Sequence, residues 1–181
     1  KTFVPVERLQ FIRKFKKGSS ILDVGCGGGR DADFFIKQGM QVVGTDVSDV
    51  LINIAKKEVP AATFICEDIL KSKFAKNSFD GIWAQAVLLH LRRNDIPKAL
   101  KKFHTILKPN GVLHVRVKKG KGEEFVKEKL SGWQERFYTY FTKKEMESLL
   151  KEEGFKIISS KIVPDELGRK NVSWVIVWAR K

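Results

Sequence analysis

The fold is decided by residues 21–30, which read ILDVGCGGGR and place Gly25, Gly27 and Gly29 directly after an apolar run. The apolar run is typical of a buried parallel strand, and the alternating glycines predict a sharp turn into a helix. In such a turn the glycine backbone and the first N–H groups of the helix can contact a ligand directly. We therefore expect the ligand site at this turn.

The spacing of these glycines argues against a dinucleotide-binding turn. The pattern G-x-G-x-x-G starting at Gly25 needs a third glycine at position 30, where the chain has Arg30. The helix cannot then pack as closely as that pattern requires. A glycine-rich turn of another kind of nucleotide-binding protein stays open as an alternative.

The composition predicts one globular domain with a substantial core, because the chain has 181 residues, of which 43% are hydrophobic and 31% charged. No apolar run approaches the roughly 20 residues that span a membrane, and no signal-peptide pattern is present, so we expect a cytoplasmic protein. Cys26 and Cys66 do not indicate a disulfide framework. Because the sequence begins at Lys1 rather than at Met, we expect that an N-terminal segment precedes it.

The net charge of +14 is compatible with two interpretations. A basic surface can bind nucleic acid, but 26 of the 35 basic residues are Lys and only 9 are Arg, whereas base and phosphate recognition also relies on the Arg fork. A lysine excess equally fits a solvated or heat-adapted surface. We favour the second interpretation.

Strand-like and helix-like segments alternate along the chain without a linker, a repeat or a low-complexity tract. We predict strands over 20–24, 41–45, 62–66, 79–84, 112–117, 155–163 and 172–179, and helices over 5–17, 29–37, 95–107 and 143–153, with another after Ser48. Five strand–helix units followed by two strands predict a doubly wound α/β sheet of seven strands. The sheet is expected to be mostly parallel, with helices on both faces and an antiparallel terminal hairpin.

Ligands of such sheets bind beyond the carboxyl ends of the parallel strands, and two acidic residues occur there. Asp46 ends the second strand about 20 residues after the glycine turn, the separation at which a carboxylate reaches the hydroxyls of a ribose. Asp68 and the apolar Ile69 follow the third strand. The alternatives are a carboxylate in the first turn of a helix for Asp46 and a solvated loop for Glu67 and Asp68.

Several motifs resemble one enzyme family. The pattern Asp23-x-Gly25-x-Gly27-x-Gly29 resembles motif I of the class I S-adenosylmethionine (SAM) dependent methyltransferases, and residues 79–91, FDGIWAQAVLLHL, resemble a segment of the ubiquinone-biosynthesis and tellurite-resistance methyltransferases. Residues 107–111, LKPNG, resemble the turn that precedes the fifth strand in these enzymes. Asn110 stands in place of a glycine there, and Asn suits the position because it tolerates left-handed dihedrals. These motifs cover residues 20–117 and imply a Rossmann-like fold with SAM as cofactor.

The resemblance implies a role for each residue at the strand ends. Asp23 is expected to hold the ammonium group of the cofactor, and Arg30 its carboxylate. Asp46 would bind the ribose, while Asp68 accepts from the adenine amino group and Ile69 covers the ring. No metal ion is expected. The predicted cofactor contacts are Asp23, Gly25, Cys26, Gly27, Arg30, Asp46, Val47, Asp68, Ile69, Ala84 and Gln85.

His90 is the candidate general base, because imidazole titrates near neutral pH and the residue follows the fourth strand. A structural hydrogen bond is the alternative role. Basic residues gather after the fourth and fifth strands and favour an anionic methyl acceptor. They are Arg92, Arg93, Arg116, Lys118, Lys119, Lys121 and Arg136.

Residues 118–141 form the longest stretch without a clear period, which is typical of a functional loop. Gly120 and Gly122 predict a mobile lid that would close the site. The alternative is an extended segment that covers the core with Phe137 and Phe141. In the functional interpretation, the catalytic and acceptor-binding residues of this segment are Arg136 and Tyr138, with Tyr140 beside them.

We therefore predict one SAM-dependent methyltransferase domain, a monomer or a homodimer, that acts on a small molecule. It comprises a helix over 5–17, a SAM-binding core over 20–117, a lid and acceptor region over 118–141, and a C-terminal helix and hairpin over 142–181. The fourth strand lacks the Asn/Asp-Pro-Pro-Tyr/Phe motif of enzymes that methylate nucleobase amino groups. An RNA methyltransferase of the same fold and a catalytically silent SAM-binding or partner-binding subunit are the alternatives.

Overall fold

The structure is a computed structural model that describes residues 6–127 and 134–181. The helices in this part of the chain are α1 (Val6–Ile12), α2 (Arg30–Lys37), α3 (Asp49–Glu58), α4 (Ile96–Ile106) and α5 (Lys143–Glu152). The strands are β1 (Ser20–Val24), β2 (Gln41–Asp46), β3 (Thr63–Cys66), β4 (Phe79–Gln85), β5 (Leu107–Lys118), β6 (Glu123–Lys127), β7 (Glu135–Thr139), β8 (Lys156–Pro164) and β9 (Ser173–Arg180). None of these helices is long and apolar enough to cross a membrane.

Within the described ranges, seven strands form one sheet in the order β3-β2-β1-β4-β5-β9-β8. Strands β1 to β5 pair in parallel, whereas β9 is antiparallel to both of its neighbours. The predicted doubly wound, Rossmann-like α/β sheet with a terminal antiparallel hairpin is confirmed.

The direction of each strand decides which residues can share a site. Because β1 to β5 are parallel, their carboxyl ends meet at one edge of the sheet. Strand β8 is antiparallel to β9, which is antiparallel to β5, so β8 also ends at this edge. The loop after β8, residues 165–172, therefore joins the loops that follow β1 to β5.

Apolar side chains bury both faces of the sheet. On one face, Phe11 of α1 and Phe35 of α2 pack against Trp83 of β4, with ring centroids 5.1 and 5.4 Å from that of Trp83. On the other face, Phe103 of α4 and Leu150 of α5 are fully buried against the sheet. Since each such side chain contributes about 1.5–3 kcal/mol by burial, helices are held on both faces.

Helix α1 ends at Ile12, so the prediction that it extends to residue 17 is wrong. The amides of Lys14 and Phe15 bond to carbonyls three residues back, at 3.1 and 3.0 Å, which tightens the chain out of the α-helix. The Phe15 ring then packs onto the sheet beside Gly81, where an added Cβ would lie 2.6 Å from Phe15 Cζ. The packing of the Phe15 ring therefore takes precedence over the helix that the spacing of apolar residues predicts.

Residues 118–141 are not a loop as predicted, because they contain β6 and β7. These strands pair antiparallel, from Glu123 opposite Thr139 to Lys127 opposite Glu135. Most of β6 is exposed, so it lacks the apolar alternation by which a half-buried strand is predicted. Residues 128–133 of the predicted lid lie outside the described residues.

Strand β5 begins at Leu107, inside the predicted turn over residues 107–111. The pairing of β4 with β5 shifts register between Phe79 and Gly81, and Asn110 has a φ of +64°. The left-handed conformation expected for Asn110 is confirmed, but it forms an irregularity within a strand.

Candidate active site

The glycine turn after β1 is held against β2 and borders open space. The amides of Gly25 and Cys26 both donate to the Thr45 carbonyl, at 2.7 and 3.0 Å. Gly25 has a φ of +69°, and a Cβ there would lie 2.8 Å from Val87 Cγ2, so only glycine fits. A Cβ on Gly27 would meet no atom within 4 Å, so a ligand can approach this backbone closely.

A first cavity of about 680 Å³ lies beyond the ends of β1, β2 and β3, and its volume is that of a small-molecule site. It brings together residues from the glycine turn, the strand ends, the segment after β4 and the β6–β7 hairpin. The lining residues are Val24, Gly25, Gly27, Thr45, Asp46, Val47, Ser48, Leu51, Glu67, Asp68, Ile69, Ala86, Val87, His90, Leu91, Arg136 and Phe137.

The Asp46 carboxylate is positioned by backbone amides at the end of β2. Its Oδ2 accepts from the Gly27 amide at 2.9 Å, and its Oδ1 accepts from the Ser48 amide at 3.0 Å. A carboxylate offers about four lone-pair sites, so these two bonds leave about two for a ligand. The arrangement suits a pair of neighbouring hydroxyl groups, as predicted for a ribose.

Asp68 and Ile69 lie together in the first cavity after β3. Asp68 Oδ1 accepts from the Leu70 amide at 2.9 Å, which fixes the side chain in a local turn. Ile69 is buried and offers an apolar surface, whereas Val47 at the other side is largely exposed. Asp68 can accept a hydrogen bond from an amino group, and Ile69 can cover a flat ring, as an adenine requires.

A second cavity of about 450 Å³ lies on the other side of the glycine turn and adjoins the first, since Gly25, Gly27 and Ala86 line both. Asp23 lines the second cavity and is buried. Its Oδ2 has no hydrogen-bond partner among the described residues. An unpaired buried carboxylate oxygen is costly, so this position suits a cationic group of a ligand.

Burial raises the pKa of Asp23 well above its ordinary range, and the neighbouring Asp31 carboxylate raises it further. Asp31 itself accepts a hydrogen bond from Trp83 Nε1 at 2.7 Å and forms an ion pair with Arg8 of α1. Sequence reasoning missed this network because the partners of Asp31 are 23 and 52 residues away.

The remaining predicted cofactor contacts are divided between the second cavity and the core. Arg30, Cys26 and Gln85 line the second cavity. Burial raises the pKa of the Cys26 thiol, so it stays protonated at neutral pH. Ala84 lines neither cavity, contrary to the prediction, because it lies inside β4 without exposed surface, and Ala86 borders both cavities instead.

His90 ends a short 3₁₀ turn after β4 and lines the first cavity. Its Nδ1 lies 3.0 Å from the carbonyl oxygen of Phe137. Since a carbonyl oxygen only accepts, Nδ1 carries the proton, and in the neutral ring Nε2 keeps the lone pair. The β6–β7 hairpin thus sets the tautomer that a general base acting through Nε2 requires.

The β6–β7 hairpin contributes Arg136 and Phe137 to the first cavity, but not Tyr138. Tyr138 is buried, and the Lys118 ammonium nitrogen lies 3.5 Å from its ring centroid. The burial of β7 increases from Glu135 to Thr139, because the strand runs from the cavity rim into the core. The predicted catalytic position of Tyr138 is therefore not supported, and Tyr140 also lines neither cavity.

The predicted basic cluster does not act as one surface. Arg136 lines the first cavity and Arg116 the second. Arg93 is used structurally, because it pairs with Glu145 and donates to the Tyr140 carbonyl at 2.8 Å. The other members, Arg92, Lys118, Lys119 and Lys121, line neither cavity.

The loop after β8 forms the outer wall of the second cavity, which sequence reasoning did not predict. Asp165 accepts from Arg169 Nη2 at 2.7 Å and from Trp174 Nε1 at 2.9 Å. The bond from Arg169 holds the pKa of Asp165 well below its ordinary range. The loop lies at the ligand-bearing edge because β8 runs in the same direction as β5. Only the direction of β8 could have indicated this position.

A solved structure shares this fold over almost its whole length. The crystal structure of a SAM-dependent methyltransferase from Methanosarcina mazei has a TM-score of 0.83 with this chain, covers 99% of it and 98% of its own length, and is 22% identical. The sheet order, the glycine turn and this likeness define the fold of the SAM-dependent methyltransferases.

The family follows from the sequence itself. Residues 22–115, just over half of the chain, match the family model described as a methyltransferase domain. The chain therefore belongs to this methyltransferase family, in agreement with the resemblance drawn from its motifs.

Two curated relatives show the range of the family. A phosphoethanolamine N-methyltransferase from Plasmodium falciparum is 29% identical over 160 residues, which are 84% of this chain and 59% of that protein. A ubiquinone biosynthesis O-methyltransferase from Coxiella burnetii is 34% identical over 113 residues, which are 59% of this chain and 47% of that protein. The chain thus spans about half the length of these relatives.

Proposed function

We propose that this chain transfers a methyl group from SAM to a small-molecule acceptor that carries an acidic group. The observation that carries the proposal is the order of three carboxylates along one edge of the sheet. Asp68, Asp46 and Asp23 belong to the neighbouring strands β3, β2 and β1 or directly follow them. Since strands lie about 4.8 Å apart, the carboxylates extend over about 10 Å, which suits an adenine, a ribose and an amino acid in succession.

The residues of both cavities fit the cofactor. Asp23 has an unpaired Oδ2 for an ammonium group, and Asp46 has free acceptor capacity for the ribose hydroxyls. The bare backbone at Gly27 leaves room between them. Arg30, at the start of α2, offers an exposed cation for the cofactor carboxylate.

SAM supplies an electrophilic methyl group on a positively charged sulfur, so the chain needs mainly to align an acceptor and exclude water. Val87 and Leu91 give the first cavity an apolar wall beside His90. His90, with Nδ1 bonded to the Phe137 carbonyl, would accept the proton of the attacking amine or hydroxyl at Nε2. Arg136 closes the rim on this side and would attract an acidic acceptor.

The chemistry of one relative supports an acidic acceptor. Phosphoethanolamine, after which that relative is named, is a primary amine that carries a phosphate. In this chain, arginines line both cavities, Arg136 in the first and Arg116 in the second. The phosphate or carboxylate of a small amine or alcohol could therefore pair with one of these arginines, which a neutral molecule could not.

The test is release of S-adenosylhomocysteine (SAH) from SAM by the full chain, with matched acceptor pairs such as phosphoethanolamine against ethanolamine. We expect turnover with the acidic member of at least one pair, reduced by roughly 100-fold or more in His90→Gln, as for loss of a general base. His104→Gln is the matched control, because His104 on α4 packs against Phe155 and lines neither cavity. Turnover with bulk RNA alone, or SAH binding without any turnover, would contradict the proposal.

A further inference from the structure

Arg116 is a buried arginine that faces the second cavity with unused hydrogen-bond capacity. It lies near the end of β5 and is only 4% exposed. Its Nε has no partner among the described residues, and its guanidinium centre lies 4.6 Å from the Trp174 ring centroid. A guanidinium offers five N–H donors, so a buried one with unpaired donors is prepared to bind an oxyanion.

Glu166 is the partner that this guanidinium does have. Its Oε1 lies 3.0 Å from Arg116 Nη1, and its side chain remains about one-third exposed. It is carried by the loop after β8, which Asp165 anchors through Arg169 and Trp174. A carboxylate thus occupies the arginine in the ligand-free protein, while solvent can still reach the pair.

The sheet register places Arg116 beyond the cofactor residues. Asp23 of β1 is paired with Trp83 of β4, and Gln85, two residues further along β4, is paired with Arg116 of β5. Two strand spacings separate β1 from β5, so the backbones at Asp23 and Arg116 are about 10 Å apart or more. Arg116 therefore lies on the side of the second cavity that is separated from Asp23 by β4.

We infer that Arg116 binds the acidic group of the methyl acceptor, a phosphate or a carboxylate, and that Glu166 occupies Arg116 until the acceptor displaces it. The inference rests on the proposed function and deepens it, because it assigns the acceptor to the second cavity. The acceptor then extends from the His90 side of Ala86, where the two cavities adjoin, towards β5. Neutral molecules cannot displace Glu166, so the pair selects against them.

The test measures binding of inorganic phosphate and of acetate to the full chain by calorimetry at constant ionic strength, with and without SAH. Glu166→Gln should bind at least one anion about fivefold more tightly, as expected if Glu166 occupies Arg116 about four-fifths of the time. Arg116→Lys should weaken binding about tenfold, because it loses the planar fork. Glu152→Gln, an exposed change at the end of α5, is the control and should not differ from the parent.

A second measurement separates the acceptor from the cofactor carboxylate, which is also an oxyanion. The affinities for SAH and for methylthioadenosine, which lacks the amino-acid group, are compared in Glu166→Gln and in the parent. The inference predicts that neither affinity changes. An SAH affinity that changes together with the anion affinity would assign Arg116 to the cofactor instead.

The outcomes for the two proposals are distinct. Anion affinities that are equal in Glu166→Gln and in the parent would overturn the inference and leave the ion pair purely structural. Failure of the parent chain to bind SAH would overturn the proposed function, whereas the anion measurement would still report directly on Arg116.

Discussion

The amide of Gly27 lies 2.9 Å from Asp46 Oδ2, so the glycine turn after β1 and the carboxylate that ends β2 are joined directly. The Ser48 amide holds the other carboxylate oxygen at 3.0 Å. Asp46 is therefore fixed before a ligand arrives. A preorganised acceptor does not have to be ordered on binding, which favours affinity.

Replacing Asp46 with Ala should weaken SAH binding at least about tenfold, because hydrogen bonds to a charged group contribute roughly 1.5–3 kcal/mol each. Calorimetry with SAH measures this directly. Asp49→Ala is the matched control, since Asp49 begins α3, is exposed and lines neither cavity. An unchanged dissociation constant in folded Asp46→Ala protein would mean that the ribose is held elsewhere.

Asp23→Asn should stabilise the ligand-free protein at pH 7 while weakening SAH binding. The pKa of Asp23 is raised by burial, then by Asp31, so the folded state holds its proton more tightly than the unfolded state. As the pH rises through the ordinary value of about 3.9, the unfolded state loses its proton first and the free energy of unfolding falls.

Urea unfolding of Asp23→Asn and of the parent at pH 4 and pH 7 checks this prediction. The stabilisation by Asn should be larger at pH 7, where the parent has lost the stability that the protonated carboxyl provides at low pH. Asp33→Asn on α2, whose carboxylate pairs with Lys37 at the surface, is the control and should show no gain. The free energy of unfolding of Asp23→Asn is compared with that of the parent at each pH. A smaller gain from Asn at pH 7 than at pH 4 would show that burial does not raise the pKa of Asp23.

Arg136→Ala should lower kcat/KM for an acidic acceptor about tenfold or more and change SAH affinity less than about twofold. Arg136 is exposed on β7 and lines the first cavity beside His90, so it can contact an acceptor without supporting the fold. A charged hydrogen bond of roughly 1.5–3 kcal/mol sets the size of the effect. Steady-state kinetics with Lys127→Ala provide the comparison, because Lys127 is exposed opposite Glu135 in the same hairpin but lines neither cavity.

Hydrogen exchange tests the same region without an acceptor. If the hairpin closes the site, SAH should protect residues 135–139 from exchange. Equal exchange with and without SAH, together with normal turnover of Arg136→Ala, would move the acceptor site away from the hairpin.

His114 should make the protein less stable in mild acid. It is fully buried, its ring centroid lies 3.8 Å from that of Trp83, and burial, then Arg116, lower its pKa well below the ordinary value. Above about pH 6.5 both states are neutral, whereas below it the unfolded state binds a proton that the folded state excludes. The free energy of unfolding should then fall by up to about 1.4 kcal/mol per pH unit.

Denaturant unfolding between pH 7.5 and 5 measures this slope. His114→Asn should show a shallower loss of stability below about pH 6.5 than the parent, whatever its stability at pH 7.5. Parallel slopes for the two proteins would show that His114 does not titrate differently in the folded and unfolded states.

The sequence predicted the site best where local rules apply. The position of the glycine turn, Asp46 and Asp68 at one cavity could be predicted because a parallel sheet brings consecutive strand ends to one edge. The burial of Ala84 and Tyr138 could not be predicted. A cavity-lining residue and a core residue are only two positions apart along each of these segments, as Ala86 and Arg136 show. The exposed strand β6 carries too little apolar alternation to be predicted.

The rest of the site depends on contacts between distant residues. The ion pair of Arg8 with Asp31 and the pair of Arg116 with Glu166 join residues 23 and 50 positions apart. The loop after β8 reaches the site because β8 runs in the direction of β5, with the antiparallel β9 inserted between them. Such an insertion is a property of the whole sheet and has no local signal.

Calorimetry of the full chain with SAH and with NAD distinguishes a SAM site at these strand ends from a dinucleotide site. Arg30 stands where a dinucleotide turn needs glycine, while Asp23, Asp46 and Asp68 suit the three polar parts of SAM. We predict saturable binding of SAH with one site per chain and no binding of NAD. Tight NAD binding without SAH binding would instead identify a dinucleotide site.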